Sequence, residues 1–329
     1  MGPPVITIRP LTPDDPADIA GMAGVISAVT PQHAMGADTL AHQLRTLAEH
    51  PRQPHFQGWL AEDGGHALGQ ASVYQVPGMF HPDRYWAEVM VRPEAQSLGI
   101  GTELGRVVEA HLRARGAQEV LSGAYEDDLL ALRYLIDRDF TESMRHFDNV
   151  LDLGSFDLSA WRPQLTLPAG LRAVTLAELR AETGQGAADR AFYEAFAEAR
   201  LDVPRSGEAT EHSFAAFEKR LSGPHFSPDL IWLALTGAGE VVALTELRRS
   251  DTDPARLDTG LTGTRRAWRR RGLGLALKLR ATGAAQARGY RELWTGNATT
   301  NTAMLALNGR LGFVPRPAFI EFRWGRLVL

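Results

Sequence analysis

The 329-residue sequence contains no cysteine, which excludes structural disulfides, a cysteine nucleophile and any thiolate metal site. No apolar run approaches the roughly 20 residues that a membrane helix needs. The first ten residues carry Pro3, Pro4 and Pro10 and lack a basic stretch followed by an apolar core, so no secretory signal is expected. The ten histidines show no paired spacing of the kind a metal-binding helix uses, and no metal is expected. Charge of one sign is not in large excess either. The formal net charge is −4, which does not favour general binding to nucleic acid. A cytoplasmic protein that meets neither membrane nor nucleic acid fits these absences. What is present is globular composition, 44% hydrophobic and 22% charged, in a length that suits two hydrophobic cores better than one.

The sequence also repeats itself, and a repeat organises a chain before its local detail does. Gln96-Ser97-Leu98-Gly99-Ile100-Gly101 reads as a polar residue, two spacers, Gly, one spacer and Gly. Arg269-Arg270-Arg271-Gly272-Leu273-Gly274 repeats that pattern 173 residues later. The same offset carries Gly116 onto Gly289, each after a helical stretch, and Asp139-Phe140 onto Gly312-Phe313. Upstream, Ile8-Arg9-Pro10-Leu11-Thr12 is similar to Leu171-Arg172-Ala173-Val174-Thr175 at an offset of 163. The front halves therefore differ by about ten residues, as loop insertions produce.

Both halves read with the same order of elements. In the first, Val5 to Arg9 reads as a strand, followed by a helix that starts near the cap signals of Thr12 to Asp15. Strands are expected at 58–62, 67–76 and 86–91. Residues 100–115 read as a helix, with Leu104, Val107, Val108, His111 and Leu112 on one buried face. A strand near 119–121 and a helix over 128–138 complete the unit. In the second half, strands are expected at 230–235, 241–248, 257–264, 292–295 and 318–324, and helices at 273–288 and 301–311. Pro163 and Pro168 interrupt the pattern and place a boundary near Leu158 to Ala169.

A strand that runs into Gly-rich sequence and then a helix leaves main-chain N–H groups unpaired at the helix start, where the helix dipole also favours an anion. Glycines at the fourth and sixth positions let a pyrophosphate approach without meeting a Cβ. Taken alone, the pattern also fits a tight strand-to-helix turn. It departs from a dinucleotide-binding Gly-x-Gly-x-x-Gly and lacks the Lys-Ser/Thr ending of a nucleoside-triphosphate loop. It resembles the acyl-CoA signature of the GCN5-related N-acetyltransferase (GNAT) superfamily, Gln/Arg-x-x-Gly-x-Gly/Ala, and both copies match. Ile8-Arg9-Pro10-Leu11-Thr12-Pro13-Asp14-Asp15 is similar to the family's usual opening, and Leu311-Gly312-Phe313 to its end. In overall plan the chain is similar to tandem members such as the mycothiol synthases.

The resemblance implies an α/β (α+β) chain of two tandem acyl-CoA N-acyltransferase domains, each a mixed, mostly antiparallel sheet flanked by helices. Residues 1–158 form the first and less complete copy. Residues 169–329 form the second, which is expected to carry the chemistry, with acetyl-CoA as acyl donor. In the family, the strand before the loop splays from its neighbour, usually at a bulge, and pantetheine pairs with the exposed backbone. By position this implicates Gly263 and Thr264, and in the first copy Met90 and Val91. The pyrophosphate is expected on the amides of Arg269, Arg270, Arg271, Gly272, Leu273, Gly274 and Leu275, and on those of Gln96, Ser97, Leu98, Gly99, Ile100, Gly101 and Thr102.

Asn297, Asn301, Met304 and Asn308 resemble the Asn-x-x-x-Asn-x-x-Met-x-x-x-Asn series of some family members, which adds Asn297 and Asn301 to the cofactor site. Helix capping is the competing reading for both. The first copy has Ala124, Asp128 and Leu135 there. The family often uses a tyrosine four residues before the glycine of Gly-Phe to protonate the leaving thiolate. That tyrosine is absent: Asn308 stands there, able to orient the sulfur or a water without titrating, and Leu135 in the first copy, with Tyr134 one helical step away. Glu246 and Asp258 are the candidate bases, against the alternative of solvated strand carboxylates, and Glu88 is the first copy's counterpart. Asp202-Val203-Pro204 reads as a loop over the acceptor site.

Arg265, Arg266, Arg269, Arg270 and Arg271 form a basic run that could mark nucleic acid. Its place on the phosphate loop and the chain's net acidity favour CoA. The sequence thus predicts acetyl transfer to a primary amine of a small molecule or peptide, by a monomer or homodimer. A non-catalytic CoA-binding sensor or partner-binding module on the same fold is the rival.

Overall fold

The protein was analysed as a computed structural model, which describes residues 6–251 and 253–325. Val5, in the expected first strand, lies outside the described residues. The first repeat runs β1 (Thr7–Pro10), α1 (Pro16–Val29), α2 (Ala37–Ala48), β2 (Phe56–Asp63), β3 (His66–Tyr74), β4 (Arg84–Val91), α3 (Ile100–Ala114), β5 (Glu119–Tyr125), α4 (Leu129–Ile136) and β6 (Thr141–Asp152). The helix starts follow their caps: Asp15 accepts from the Ala17 amide ahead of Pro16, and Asp128 from that of Ala131. Strand alternation then builds two cores on one sheet. Trp59 and Ala61 face Leu104, Val108 and Leu112 of α3. Leu60, between them, faces Ile19, Met22 and Leu40 of α1 and α2.

The second repeat runs β7 (Leu171–Thr175), α5 (Leu176–Thr183), α6 (Gln185–Arg200), α7 (Phe214–Arg220), β8 (Ile231–Thr236), β9 (Val241–Arg249), β10 (Arg256–Thr264), α8 (Leu273–Ala287), β11 (Glu292–Ala298), α9 (Thr302–Arg310) and β12 (Val314–Gly325). A capping box between Thr175 and Glu178 starts α5. Leu233, Leu235 and Leu244 pack on Phe192, Phe196 and Phe217 of α6 and α7. On the other sheet face, Leu247, Leu257 and Leu293 meet Leu279 and Ala285 of α8. In both repeats the strands pair antiparallel, except for β4 with β5 and β10 with β11, which are parallel.

The duplication is also written in the backbone. Ser97 and Arg270 have φ of 64° and 60°, Gly99 and Gly272 of 82° and 77°, and Asp139 and Gly312 of 62° and 89°. Each pair is separated by the offset of 173 seen in the sequence.

The compact units differ from the contiguous halves 1–158 and 169–329. One unit comprises residues 1–144, 206–210 and 320–329; the other comprises 145–205 and 211–319. Within the second unit, His146 to Asp152 of β6 pair antiparallel with β11, from Ala298 to Glu292. Leu151 and Leu153 there join Leu293, Leu311 and Phe313 in one core. Within the first unit, Ile320 and Phe322 of β12 pack on Ala124 and Leu135. Burial of apolar strand residues, worth roughly 1.5–3 kcal/mol for each large side chain, explains why the strands go where their apolar faces are covered. The expected boundary at 158–169 is largely a short 3₁₀ helix, Leu158–Leu165, and Leu158, Trp161 and Leu165 lie against the second core.

Candidate active site

β10 and β11 run side by side from Arg256 and Glu292 only as far as Thr259 and Thr295. Beyond that point β10 has no ladder partner on its β11-facing edge among the described residues. The register of β10 against β9 also slips between Thr259 and Thr262, a bulge that bends the strand away. The gap opens a cleft of about 480 Å³ in the second unit. Phe196, Arg200, Arg220, Glu246 and Arg248 line it from the α6–α7 face of the sheet, and Lys278, Asn297, Asn301 and Met304 from the α8–α9 side.

Gly260 makes the bulge possible, because a Cβ there would lie 2.8 Å from Glu246 Oε2. Glu246 is 1% exposed. Arg220 Nη2 donates to both of its oxygens at 2.7 and 2.8 Å, and the Leu261 amide of the bulge donates to Oε2 at 2.9 Å. Glu246 thus ties the bulge to α7, and the Leu261 amide is already engaged. Glu246→Ala leaves a partly buried guanidinium and the Leu261 amide unmet and is expected to destabilise the fold by about 3–5 kcal/mol. Glu246→Gln, which can still accept from Leu261, should lose less. Urea unfolding midpoints measure both, and a loss below about 1 kcal/mol for Glu246→Ala would contradict the pairing. Asp258, the other candidate base, does not line the cleft: Arg256 holds it at 2.6 Å.

On the α8 side the structure shows a group that the sequence reading missed. Lys278 is 2% exposed and lines the cleft. Its Nζ donates to Asn308 Oδ1 at 2.6 Å, and Asn308 Nδ2 donates to Asn297 Oδ1 at 2.6 Å. Phe313 covers the amine, with its ring centroid 4.7 Å from Nζ. Burial lowers the ammonium to about 7, and no charged neighbour contributes to the shift. Asn308 is itself 1% exposed. Asn301 caps α9 through the Met304 amide and also lines the cleft. Asn297 lies in β11 rather than at a helix start. Only the fold reveals Lys278: Leu277, Leu279, Ala281 and Thr282 around it are all buried, so α8 has little solvated face on which to place a lysine.

The loop before α8 fits an anion. With φ at 60°, Arg270 turns the chain so that successive amides converge. Among the described residues the amides of Arg270 to Leu275 have no main-chain acceptor, whereas that of Arg269 reaches Arg266 O at 3.4 Å. Gly274 leaves the helix start open, since a Cβ there meets nothing closer than 3.7 Å. Gly263 packs close under Ala199 of α6, and Thr264 ends β10 at the loop. The arginine run divides. Arg265 pairs with Glu198 and Glu240, and Arg266 and Arg269 pair with Asp202. These arginines hold Asp202 near 2, well below its usual value, and tie the Asp202-Val203-Pro204 loop to the phosphate loop. Arg270 and Arg271 have no carboxylate partner among the described residues; Arg271 stacks on Trp268 at 4.7 Å.

The first unit has the same turn with different surroundings. β4 leaves β5 after Trp86 and Leu121, but its register with β3 is unbroken from Trp86 to Val91, without a bulge. The Thr102 amide bonds Gly99 O, and that of Gln96 reaches Pro93 O, leaving the amides of Ser97 to Gly101 without a main-chain acceptor among the described residues. Asp127 and Asp128 share the depression with Gln96, and no arginine lies between Gln96 and Thr102. Gly105 stands at the place of Lys278, and the Tyr134 hydroxyl sits 2.0 Å from where its Cβ would be, donating to Gly101 O at 3.1 Å. Glu88 is half-buried, and its desolvation raises the carboxyl; it accepts from Trp86 Nε1 at 2.8 Å and from the Tyr74 hydroxyl at 3.1 Å. Met90 and Val91 close β4.

A family model described as Acetyltransferase (GNAT) family matches the chain twice, over residues 29–136 and 185–313. The chain belongs to the GNAT acetyltransferase family. Its fold is also that of solved tandem GNAT proteins. A GCN5-related N-acetyltransferase from Sphaerobacter thermophilus is 21% identical, with 98% of each chain covered and a TM-score of 0.68. A tandem GNAT protein from the clavulanic acid biosynthesis pathway is 18% identical, covering 98% of this chain and all of that one, with a TM-score of 0.73. A putative acetyltransferase from Pyrococcus horikoshii is 14% identical, over 98% of this chain and 90% of that one, at 0.56. No curated protein matches the sequence. At these identities the solved structures establish the two-domain GNAT fold, and family membership supports an acyltransferase. Among the described residues no helix is long and apolar enough to cross a membrane.

Proposed function

We propose that the second unit transfers an acetyl group from acetyl-CoA to a primary amine, in a cytoplasmic protein. One observation carries this reading: the edge of β10 beyond its pairing with β11 and a buried lysine line a single cleft, and β10 runs on from there into the loop whose amides, Arg270 to Leu275, are open among the described residues. The amides and the unpaired Arg270 and Arg271 are suited to a diphosphate. The edge from Thr262 to Thr264 is suited to the amide groups of pantetheine, and Asn297 and Asn301 stand where that arm would enter. The first unit's bulge-free strand, its Asp127 and Asp128 and its Tyr134 oppose a second donor, so the donor is assigned to the second unit alone.

Acetyl-CoA supplies an activated acyl thioester; the chain's residues hold it and move protons. Lys278 Nζ is the acid for the leaving sulfur. At about 7 it is a stronger acid than a thiol near 8.5, so the proton transfer runs downhill. Asn308, bonded to both Lys278 and Asn297, fixes the amine in place of the family's tyrosine. Glu246 offers its carboxylate to the ammonium of the acceptor from the other side of the gap. The tandem plan leaves the acceptor open.

A CoA-binding module without catalysis is the second reading, and the engagement of both Glu246 oxygens by Arg220 favours it. Thiol release from acetyl-CoA with a panel of primary amines separates the two. Amine-dependent release and an N-acetylated product are expected. Tight acetyl-CoA binding without turnover of any amine would sink the enzymatic reading and uphold the second.

A further inference from the structure

At the cleft, the sheet face opposite α8 carries more arginines than carboxylates. Arg200, Arg220 and Arg248 line the cleft there against the single carboxylate of Glu246, and Glu246 is already committed to Arg220. Arg248 is two residues on from Glu246 along β9 and therefore on the same face, the one whose Leu244 packs on Phe192 and Phe217. Leu247, between them, points to the α8 side. Arg248 is exposed to the cleft, and among the described residues no hydrogen bond or ion pair engages it. Its register partner Asp258 is held by Arg256 instead.

The neighbouring cations feel one another. Burial lowers the Arg200 guanidinium, and Arg205 and Arg220 lower it further by repulsion. Arg248 opens to solvent through the cleft, and desolvation by the surrounding protein lowers it too, with Arg220 adding to the effect and Glu246 and Asp258 opposing it. Holding like charges together in a partly desolvated cleft is unfavourable, and a bound anion would relieve it. The cation excess does not belong to the donor, whose phosphate loop starts α8 on the other side of the sheet.

Resting on the acetyltransferase reading above, we propose that the acceptor is a small amine that carries its own anionic group, most simply an amino acid, with Arg248 binding that group. A planar guanidinium with two free N–H edges suits a carboxylate in bidentate geometry. The ammonium of the same molecule then lies toward Glu246, two residues along the strand. The reaction is ordinary acyl transfer: the amine nitrogen forms the new C–N bond, the C–S bond of the thioester breaks, and CoA leaves as the thiol with one proton released.

The test offers amines in matched pairs with acetyl-CoA: glycine against methylamine, β-alanine against ethylamine, and aminoethyl phosphate against ethanolamine, so that carboxylate and phosphate are read separately. The anionic member of at least one pair is expected to exceed its partner about 100-fold in kcat/KM, mostly through KM. Arg248→Gln should reduce that ratio to within about threefold while leaving acetyl-CoA affinity unchanged. Calorimetry of the CoA-loaded protein with each amine should rank them in the same order without turnover. If neutral amines are acetylated as well as anionic ones, this inference is overturned and the acetyltransferase reading stands. If no amine is acetylated, that reading fails, and the calorimetric ranking with and without Arg248 still decides the inference.

Discussion

Lys278→Met is expected to slow acetyl transfer by roughly 10²- to 10³-fold, within the usual contribution of a positioned acid, while making the protein more stable near pH 7. The two effects have one cause. Burial holds the folded-state ammonium at about 7 against an ordinary value of 10.5. Between those values the unfolded chain binds a proton that the folded chain does not, so this group's contribution to stability improves as pH rises from 7 to 10.5. Below pH 7 its full cost is present, on the order of several kcal/mol. Methionine removes that cost and fills similar space. The change leaves Asn308 Oδ1 without its donor, which costs about 1–3 kcal/mol, so a net gain of about 1–3 kcal/mol is expected at pH 7. Urea unfolding of both proteins at pH 7 and pH 9.5 measures it, and the gain should shrink at the higher pH. Activity adds an independent reading. The wild-type rate should lose acid assistance above pH 7, and the variant should lack that limb. A variant that is less stable at pH 7 yet fully active would remove Lys278 from the chemistry.

Gly274→Asp should lower acetyl-CoA affinity by at least 100-fold, whereas Gly101→Asp, at the matching turn of the first unit, should leave it nearly unchanged. Neither change disturbs packing. An added Cβ meets Thr262 and Thr264 at 3.7 Å in one case and Val91 at 3.6 Å in the other, both ordinary contacts. A carboxylate in the first turn of a helix even favours the helix by about 0.3–1 kcal/mol. What changes is the site: the carboxylate projects where a diphosphate would lie and repels it. Calorimetric titration gives the affinity and the number of sites, expected to be one per chain. Equal losses in the two variants would mean that the first unit also holds a donor.

Much of the architecture was legible because both halves obey the same local rules. The offset of 173 between Gly99 and Gly272, and between Asp139 and Gly312, reappears as paired left-handed backbone angles, since a residue forced into that conformation leaves its mark on the sequence. Most strands and the helices α3, α8 and α9 follow apolar periodicity and fall within a few residues of their expected limits. Strand β6 was not foreseen. Its sequence, Thr141 to Asp152, alternates weakly, and nothing local says that it will pair with β11; partner choice between strands is a long-range matter. The arginine run was legible as charge but not as pairing, because Glu198, Asp202 and Glu240 reach it only through the fold. Lys278 reads as a solvated lysine until α8 is known to be covered on the side that carries it.

Electron density for a crystal soaked with a non-reactive acetyl-CoA analogue tests the account most directly. Diphosphate oxygens should lie within about 2.7–3.2 Å of the amides between Arg271 and Leu275, with the pantetheine arm along the edge from Thr262 to Thr264 and nothing at Ser97 to Gly101. Density at the first turn with the second vacant would contradict it.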